Sequence, residues 1–447
     1  MSICRRALLL ALLVTATGCS GGTSSFGSGS DGGLILGLDA HLAFDANHGV
    51  KTPTVGDAHT TQEPDSGAVS GDSGFTPGNN VAPLIVDEGP AGAESINTPF
   101  VTITICIPGT STCQTIDHIT VDTGSSGVHI IGSVLNGNMM LPQAMASTGL
   151  PLEECEQYVD SAVWGSVRMA DVKIAGEVAS SIPIQIIADP SAPSAPTDCT
   201  MSGMLELTDT VVDYGANGLV GINQIVQDCG EACAESPPPP GAYYSCSGST
   251  CTAVSVPLSK QIQNPIALFE HDNNGSIVSF QGASAPATGA ATLAGSLIFG
   301  IGTQANNAVG SATVLTTDDY GNITTIFNGQ TLSESYFDTG TSAYAFADNS
   351  IVQCGQNDEW AGSYCPASTA NLTATNEGMN GASASASLAI ADADSFGDTD
   401  TVFPDLGETA DGNDSFAWGF PFFINRNVYI ALAGASTPSG MGPYYAY

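Results

Sequence analysis

The sequence predicts an all-β protein, on two observations. Charged residues, many of them helix-favouring, make up only 11% of the chain, while 52 Gly and 25 Pro are spread through it. Ser, Thr, Val and Ile fill the stretches between, a composition of strands and turns. Those stretches are short and strand-like, and helical patterns are few. At 447 residues, 42% of them hydrophobic, the chain is long enough for two domains, each with its own core.

Read from the N-terminus, Arg5 and Arg6 precede an apolar stretch, Ala7 to Val14, that is too short to span a bilayer. Ala16-Thr17-Gly18 and then Cys19 follow. Residues 1–19 resemble a bacterial lipoprotein signal, which implies that Cys19 becomes the lipidated first residue. Ala16 stands where Leu is commonest, so secretion without a lipid is the alternative. Either route places the mature chain outside the cytoplasm, anchored to the cell envelope or secreted. No other apolar run approaches spanning length, so membrane contact is expected only through Cys19.

Residues 20–80 are rich in Gly, Ser, Asp and Thr without sustained apolar periodicity and read as a flexible tether. Within them Gly71-Asp72-Ser73-Gly74 matches the string around a trypsin-like nucleophilic serine. A disordered linker cannot hold a serine, its base and an oxyanion hole in register, so the match is discounted.

Strands begin near Val81. Val101 to Cys106 alternates apolar residues with Thr, Pro108-Gly109 turns the chain, and a second strand leads into Val121. Further strand-like runs are Val172 to Ile174, Ile182 to Ile187, Gly218 to Ile222, Ser276 to Phe280, Ser296 to Ile301 and Val428 to Leu432. The Cys-rich stretch from Cys229 to Cys251, with Pro237 to Pro240 inside it, reads as a surface insertion. Ala391 to Asp414 reads as a solvated acidic loop. Its Asp392, Asp394, Asp398 and Asp400 lack the spacing and closing Glu of a known calcium loop.

Twelve Cys are present. Setting aside Cys4 in the signal and Cys19 leaves an even set suited to an oxidising compartment. They fall as close neighbours: Cys106 with Cys113, Cys155 with Cys199, Cys229 with Cys233, Cys246 with Cys251, and Cys354 with Cys365. Local pairing in that order is expected, although sequence alone leaves connectivity open. There is no Cys-x-x-Cys and no His at zinc-ligand spacing from a Cys pair, so no metal or other cofactor is expected.

Seven Lys plus Arg stand against 44 Asp plus Glu, a net charge of −37. Such a surface repels phosphate backbones and anionic headgroups, which excludes nucleic-acid binding and electrostatic docking on lipid. It also predicts tolerance of acid, because the carboxylates repel one another less once protonated.

One motif occurs twice. Asp122-Thr123-Gly124-Ser125-Ser126 follows the strand-like Ile119-Thr120-Val121, and Asp338-Thr339-Gly340-Thr341-Ser342 follows Tyr336-Phe337. One Asp-Thr-Gly alone is an ordinary turn composition; two extended copies half a protein apart are not. Two apolar-Gly segments accompany them. Leu219-Val220-Gly221 lies in the first half, and Ala417-Trp418-Gly419, running into Phe422-Phe423-Ile424 and Val428-Tyr429, lies in the second. Gly295-Ser296-Leu297-Ile298-Phe299-Gly300 falls between. In order and spacing these resemble the pepsin-like aspartic peptidases over nearly the whole folded part. The chain also resembles a group of exported bacterial proteins of unassigned function, through its Cys-rich insertions and its Gly-Ala-Ser-Thr-Pro ending.

The first resemblance implies a two-lobed β architecture with the cleft between lobes, an N-terminal lobe over residues 81–289 and a C-terminal lobe over 290–447. It implies that Asp122 and Asp338 hold a water between them. Two adjacent carboxyls cannot both ionise cheaply, so one keeps a proton, and the pair supplies both base and acid for amide hydrolysis. Gly124 and Gly340 would admit close backbone approach. Ser125 and Thr341 would donate to the outer carboxyl oxygens, and Thr123 and Thr339 would lock the two loops together. Tyr158 falls where a flap tyrosine is expected, but Val159-Asp160-Ser161 replace the usual glycines, His129 replaces the usual supporting Trp, and Trp164 is a candidate substitute. His118 and His129 read as structural. The expected function is an acid-active endopeptidase acting as a monomer on peptide or unfolded protein. The alternative is a non-catalytic surface protein of the same fold that binds peptide or a cell-envelope partner. A calcium-dependent adhesion module ranks third.

Overall fold

Alternation of Thr and Ser with Val and Ile gives each segment one face to bury and one to hydrate, and that pattern sets the strands. A computed structural model describes residues 80–447 apart from 160, 357 and 411–413. The expected signal, Cys19, nearly all of the tether and the Gly-Asp-Ser-Gly string lie outside the described residues. Asn80, assigned above to the tether, belongs to the fold instead. It is fully buried, and its Nδ2 donates to the Phe299 carbonyl at 2.9 Å.

The architecture is all-β, with only four-residue α-helices among the described residues. No helix there is long and apolar enough to cross a membrane. Seven strands open the described chain: β1 (Val81–Val86), β2 (Pro99–Cys106), β3 (Cys113–Asp122), β4 (Ser126–Ile131), β5 (Leu152–Gln157), β6 (Ser161–Ile174) and β7 (Glu177–Ile187). They lie in one large sheet that runs β5-β6-β7-β4, then the strand Gly218–Ile222, then β3-β2-β1. The sheet continues through Leu293–Phe299 and Gly275–Ser279 to Asn427–Ala431 and Tyr444–Ala446. A boundary drawn at 289/290 therefore falls between two hydrogen-bonded neighbours, Gly275–Ser279 and Leu293–Phe299. A second sheet of seven strands contains Ile323–Phe327, Gln330–Phe337, Ala370–Glu377 and Ser383–Ile390.

One local arrangement occurs in both sheets. β3 runs parallel to Gly218–Ile222, with Val121 opposite Val220 and Asp122 opposite Gly221, while β4 runs antiparallel to the same strand. Likewise Gln330–Phe337 runs parallel to Ala417–Trp418, with Phe337 opposite Trp418, and Tyr344–Ala345 runs antiparallel to it. Each Asp-Thr-Gly loop thus connects two strands that flank a third.

The Cys-rich insertion is not a mere surface excursion. Its strand Tyr243–Ser247 pairs with β5 and extends the large sheet, burying Tyr243 and Tyr244. Ten Cys form five disulfides, Cys106–Cys113, Cys155–Cys199, Cys229–Cys233, Cys246–Cys251 and Cys354–Cys365. Such density fits an oxidising, extracytoplasmic compartment.

Candidate active site

The two Asp-Thr-Gly loops meet in the interior, and their hydrogen bonds repeat term by term. Gly124 N–H donates to Asp122 Oδ1 and Gly340 N–H to Asp338 Oδ1, both at 2.8 Å. Ser125 Oγ donates to Asp122 Oδ2 and Thr341 Oγ1 to Asp338 Oδ2, both at 2.5 Å. Between the loops, Thr339 N–H donates to Thr123 Oγ1 at 2.9 Å, and Thr123 N–H to Thr339 Oγ1 at 3.1 Å. Each hydroxyl passes its own proton to the opposite strand, Thr123 to the Phe337 carbonyl at 3.1 Å and Thr339 to the Val121 carbonyl at 2.6 Å. An N–H, a hydroxyl and a carbonyl from each half are thus bonded to the other half, so neither loop can move alone without breaking all four bonds.

This lock brings the carboxyls together. A Cβ placed on Gly340 would sit 2.8 Å from Asp122 Oδ1 and 3.2 Å from Asp338 Oδ1. Both carboxyls therefore face one spot, and only glycine leaves that spot open. Gly221 and Gly419 do the equivalent behind the loops, where a Cβ would collide with backbone of Ser125 and of Thr341 and Ala343.

Each loop is held from outside by an asparagine that the motif does not reveal. Asn223 Nδ2 donates to the Gly124 carbonyl at 3.0 Å, and its Oδ1 accepts from Ser126 Oγ at 2.6 Å. Its place directly after Leu-Val-Gly-Ile is the signal that could have found it. Asn97, from the first half of the chain, donates to the Ser342 carbonyl at 2.6 Å and accepts from Phe403 N–H at 2.7 Å. Nothing in the sequence around Asn97 announces a partner more than 240 residues away.

Tyr158 closes the tip of the β5–β6 hairpin, where its N–H donates to the Ser161 carbonyl at 2.8 Å. Its ring is fully buried and its hydroxyl lies 3.1 Å from that of Tyr214. Burial, first, and the neighbouring Tyr214 push the Tyr158 phenol well above its usual range, and the Asp122 carboxyl adds to the shift. Tyr214, Tyr336 and Tyr445 are also raised, chiefly by burial, and the charge of Asp122 reaches each of them. The dyad thus lies among four phenols that stay protonated. Trp164 does not back Tyr158. It stands edge-on to Tyr244 at 5.5 Å and donates to the Pro193 carbonyl, within a different apolar cluster beside Cys155–Cys199. The reason is strand parity: Trp164 is paired with Cys155, whose side chain leaves the face opposite to that of Glu156 and Glu154. Tyr214 is the support the sequence reading missed.

His129 is buried on β4 with Nδ1 3.0 Å from Gln185 Oε1, and burial lowers its pKa. His118 lies 3.4 Å from the Asp87 carboxylate, which holds its pKa up. Neither contacts the dyad through these bonds.

Both dyad residues are fully buried. Two surface cavities, of 330 and 300 Å3, are lined by residues such as Gln281, Arg426 and Tyr429 and by Ile351, Val352 and Leu372, and neither reaches Asp122 or Asp338. Among the described residues, Asp392, Asp394, Asp398 and Asp400 do not converge on a common point. Asp394 groups instead with Cys354 and Cys365, whose sulfurs are spent in a disulfide. Glu154, Glu156 and Asp228 do converge.

No curated protein matches the chain. Residues 76–447, the whole of the fold described here, match the family described as "Protein of unknown function (DUF3443)", and the chain belongs to that family.

Proposed function

We propose that the chain is an aspartic endopeptidase-like hydrolase of two-lobed, pepsin-like architecture, with Asp122 and Asp338 as the catalytic pair. The observation that carries this reading is the point at Gly340 that both carboxyls face at 2.8 and 3.2 Å. A water bridging Oδ1 of Asp122 and Oδ1 of Asp338 is in reach of a base and an acid at once. One carboxylate removes its proton as it attacks the peptide carbonyl, and the other carboxyl protonates the carbonyl oxygen. The two residues titrate jointly, so neither role has a private pKa. Ser125 and Thr341, donating to the outer oxygens, fix the orientation of both carboxyls. Tyr158 is the candidate lid residue over the pair. Substrates are peptides or unfolded protein, the protein acts as a monomer, and Cys19 supplies the lipid anchor outside the cytoplasm.

A second reading is favoured by the burial of both aspartates. On this reading the fold keeps its dyad as a structural lock and serves as a surface binding module. Degradation of an unfolded protein at about pH 3–5, the range in which such a pair carries one proton, separates the two. The hydrolase reading expects cleavage by the natural chain and none by Asp122→Asn or Asp338→Asn. Absence of cleavage by all three, with the fold intact, supports the binding module. Equal cleavage by all three removes the dyad from the chemistry.

A further inference from the structure

Phe337 stands one residue before Asp338, at the end of its strand. The N–H groups of Tyr336 and Asp338 donate to the Phe416 and Trp418 carbonyls at 3.2 and 3.0 Å, so the N–H and carbonyl of Phe337 point the other way. On that side the strand Ile323–Phe327 has already ended its pairing, with Ile323 opposite Ser335. Two side chains take its place. Thr123 Oγ1 donates to the Phe337 carbonyl at 3.1 Å, as part of the cross-loop lock. The Phe337 N–H donates to the hydroxyl of Tyr445, which comes from the last strand of the chain.

Tyr445 is held firmly enough to fix that bond. Its strand, Tyr444–Ala446, lies between Val314–Thr316 and Asn427–Ala431, with Tyr445 opposite Leu315 and Ile430. Its side chain is buried, and its ring meets that of Phe337 edge-on at 4.9 Å. Tyr447, two residues on, also meets Phe337, at 5.3 Å, but its hydroxyl accepts from Asn376 Nδ2 instead. Burial, first, and then the Asp338 carboxyl push the Tyr445 phenol well above its ordinary range, and the charge of Asp122 reaches it too.

We infer that Tyr445 is a positioning residue of the Asp122–Asp338 pair. Its hydroxyl holds the N–H of the step before Asp338 while Thr123 holds the carbonyl, so the Asp338 carboxyl keeps its place across from Asp122. The same hydroxyl keeps a proton of its own, and beside a negative carboxylate an O–H dipole turns its hydrogen toward the charge, which favours the ionised form. This role, which rests on the reading of Asp122 and Asp338 as a catalytic pair, makes the C-terminal strand part of the site.

The test is Tyr445→Phe, which keeps the ring and removes the hydroxyl. Aspartates isotope-labelled at the carboxyl carbon are followed by NMR across the acid range, and the Asp338 signal is the one missing from Asp338→Asn. In Tyr445→Phe that signal is expected to titrate about half a pH unit or more above its position in the natural chain. Tyr444→Phe is the control: Tyr444 is equally buried, but its hydroxyl lies 2.7 Å from Thr437 Oγ1. That variant lowers Tm and leaves the Asp338 titration where it was. An unmoved Asp338 in Tyr445→Phe, whatever happens to Tm, reduces Tyr445 to packing and overturns the role. Equal shifts in both variants overturn it as well, because they assign the effect to a loosened sheet. If Tyr445→Phe fails to fold, hydrogen exchange in the natural chain decides. The Phe337 N–H is expected to be protected as strongly as that of Asp338, and rapid exchange overturns the bond. The readout is a titration, so it decides the role of Tyr445 whether or not the natural chain cleaves, and failure of the hydrolase reading shows separately as absent cleavage.

Discussion

The two Asp loops are near-copies in hydrogen bonding, but what lies behind them differs. Behind Asp122 the large sheet is built of Val and Ile, with a buried histidine and buried carboxyls, and four of the five disulfides lie in that half. Behind Asp338 stands an aromatic stack. Phe416 lies 4.3 Å from Trp418 and 4.7 Å from Phe346, and Phe337 is 4.7 Å from Phe422. The difference teaches that the loop geometry is held by the cross-loop lock and not by a particular core. One half reaches it with strands, disulfides and polar ties, the other with rings.

The largest expected effect is on activity and ignores the difference. Asp122→Asn and Asp338→Asn each lower cleavage by about 10²–10⁴-fold or more, measured as initial rate on an unfolded protein. A tenfold disparity between them would break the equivalence of the two halves. Next come the disulfides, where the halves should diverge. Replacing Cys155 and Cys199 with Ser opens a loop of 44 residues and costs about 4 kcal/mol, whereas opening Cys354–Cys365, with 11, costs about 3 kcal/mol. Denaturant unfolding reads both.

Thr123→Val and Thr339→Val test the lock itself. Each strands one N–H and one carbonyl of the opposite strand, at about 1–3 kcal/mol per buried group. Equal losses in unfolding free energy are expected, and a marked inequality would show that one core compensates where the other cannot.

The smallest effect is a pH dependence from Glu153 and the two histidines of the first half. Burial pushes Glu153 up to about 7. Between its ordinary value of 4.5 and that value the folded state binds more proton than the unfolded one, so its contribution is complete below 4.5 and is lost as pH rises through about 7. His118, raised by Asp87, acts in the same direction: its contribution is present below 6.5 and fades above its folded pKa. His129, lowered by burial, opposes them and destabilises as pH falls below 6.5. Glu153→Gln should flatten the fall in stability between about pH 5 and 7, followed by thermal unfolding across that range. An unchanged slope would move the effect elsewhere.

What could be read in the sequence was whatever is local. Asp-Thr-Gly carries its own turn and donors within three residues, so both loops were legible, as were Leu219-Val220-Gly221 and Ala417-Trp418-Gly419 behind them. Cysteines a few residues apart were legible for the same reason. What escaped is held by single polar side chains across long separations. Asn97 reaches Ser342 and Phe403, Tyr214 meets Tyr158, and Asp228 meets Glu154. No periodicity encodes such pairs, because one buried polar contact leaves no repeating pattern in the chain. The insertion at 229–251 misled for another reason: its run of prolines suggests a surface loop, but Pro239 is buried and the adjacent Tyr243 and Tyr244 carry a strand into the sheet.

The most direct measurement is a crystal structure with a pepstatin-type peptide, whose hydroxyl imitates the attacking water. The hydroxyl oxygen is expected within about 2.6–3.2 Å of both Asp122 and Asp338, with the hairpin at Tyr158 shifted to admit the chain. A peptide bound elsewhere, or refused by crystals in which the aspartates stay sealed, would contradict the hydrolase.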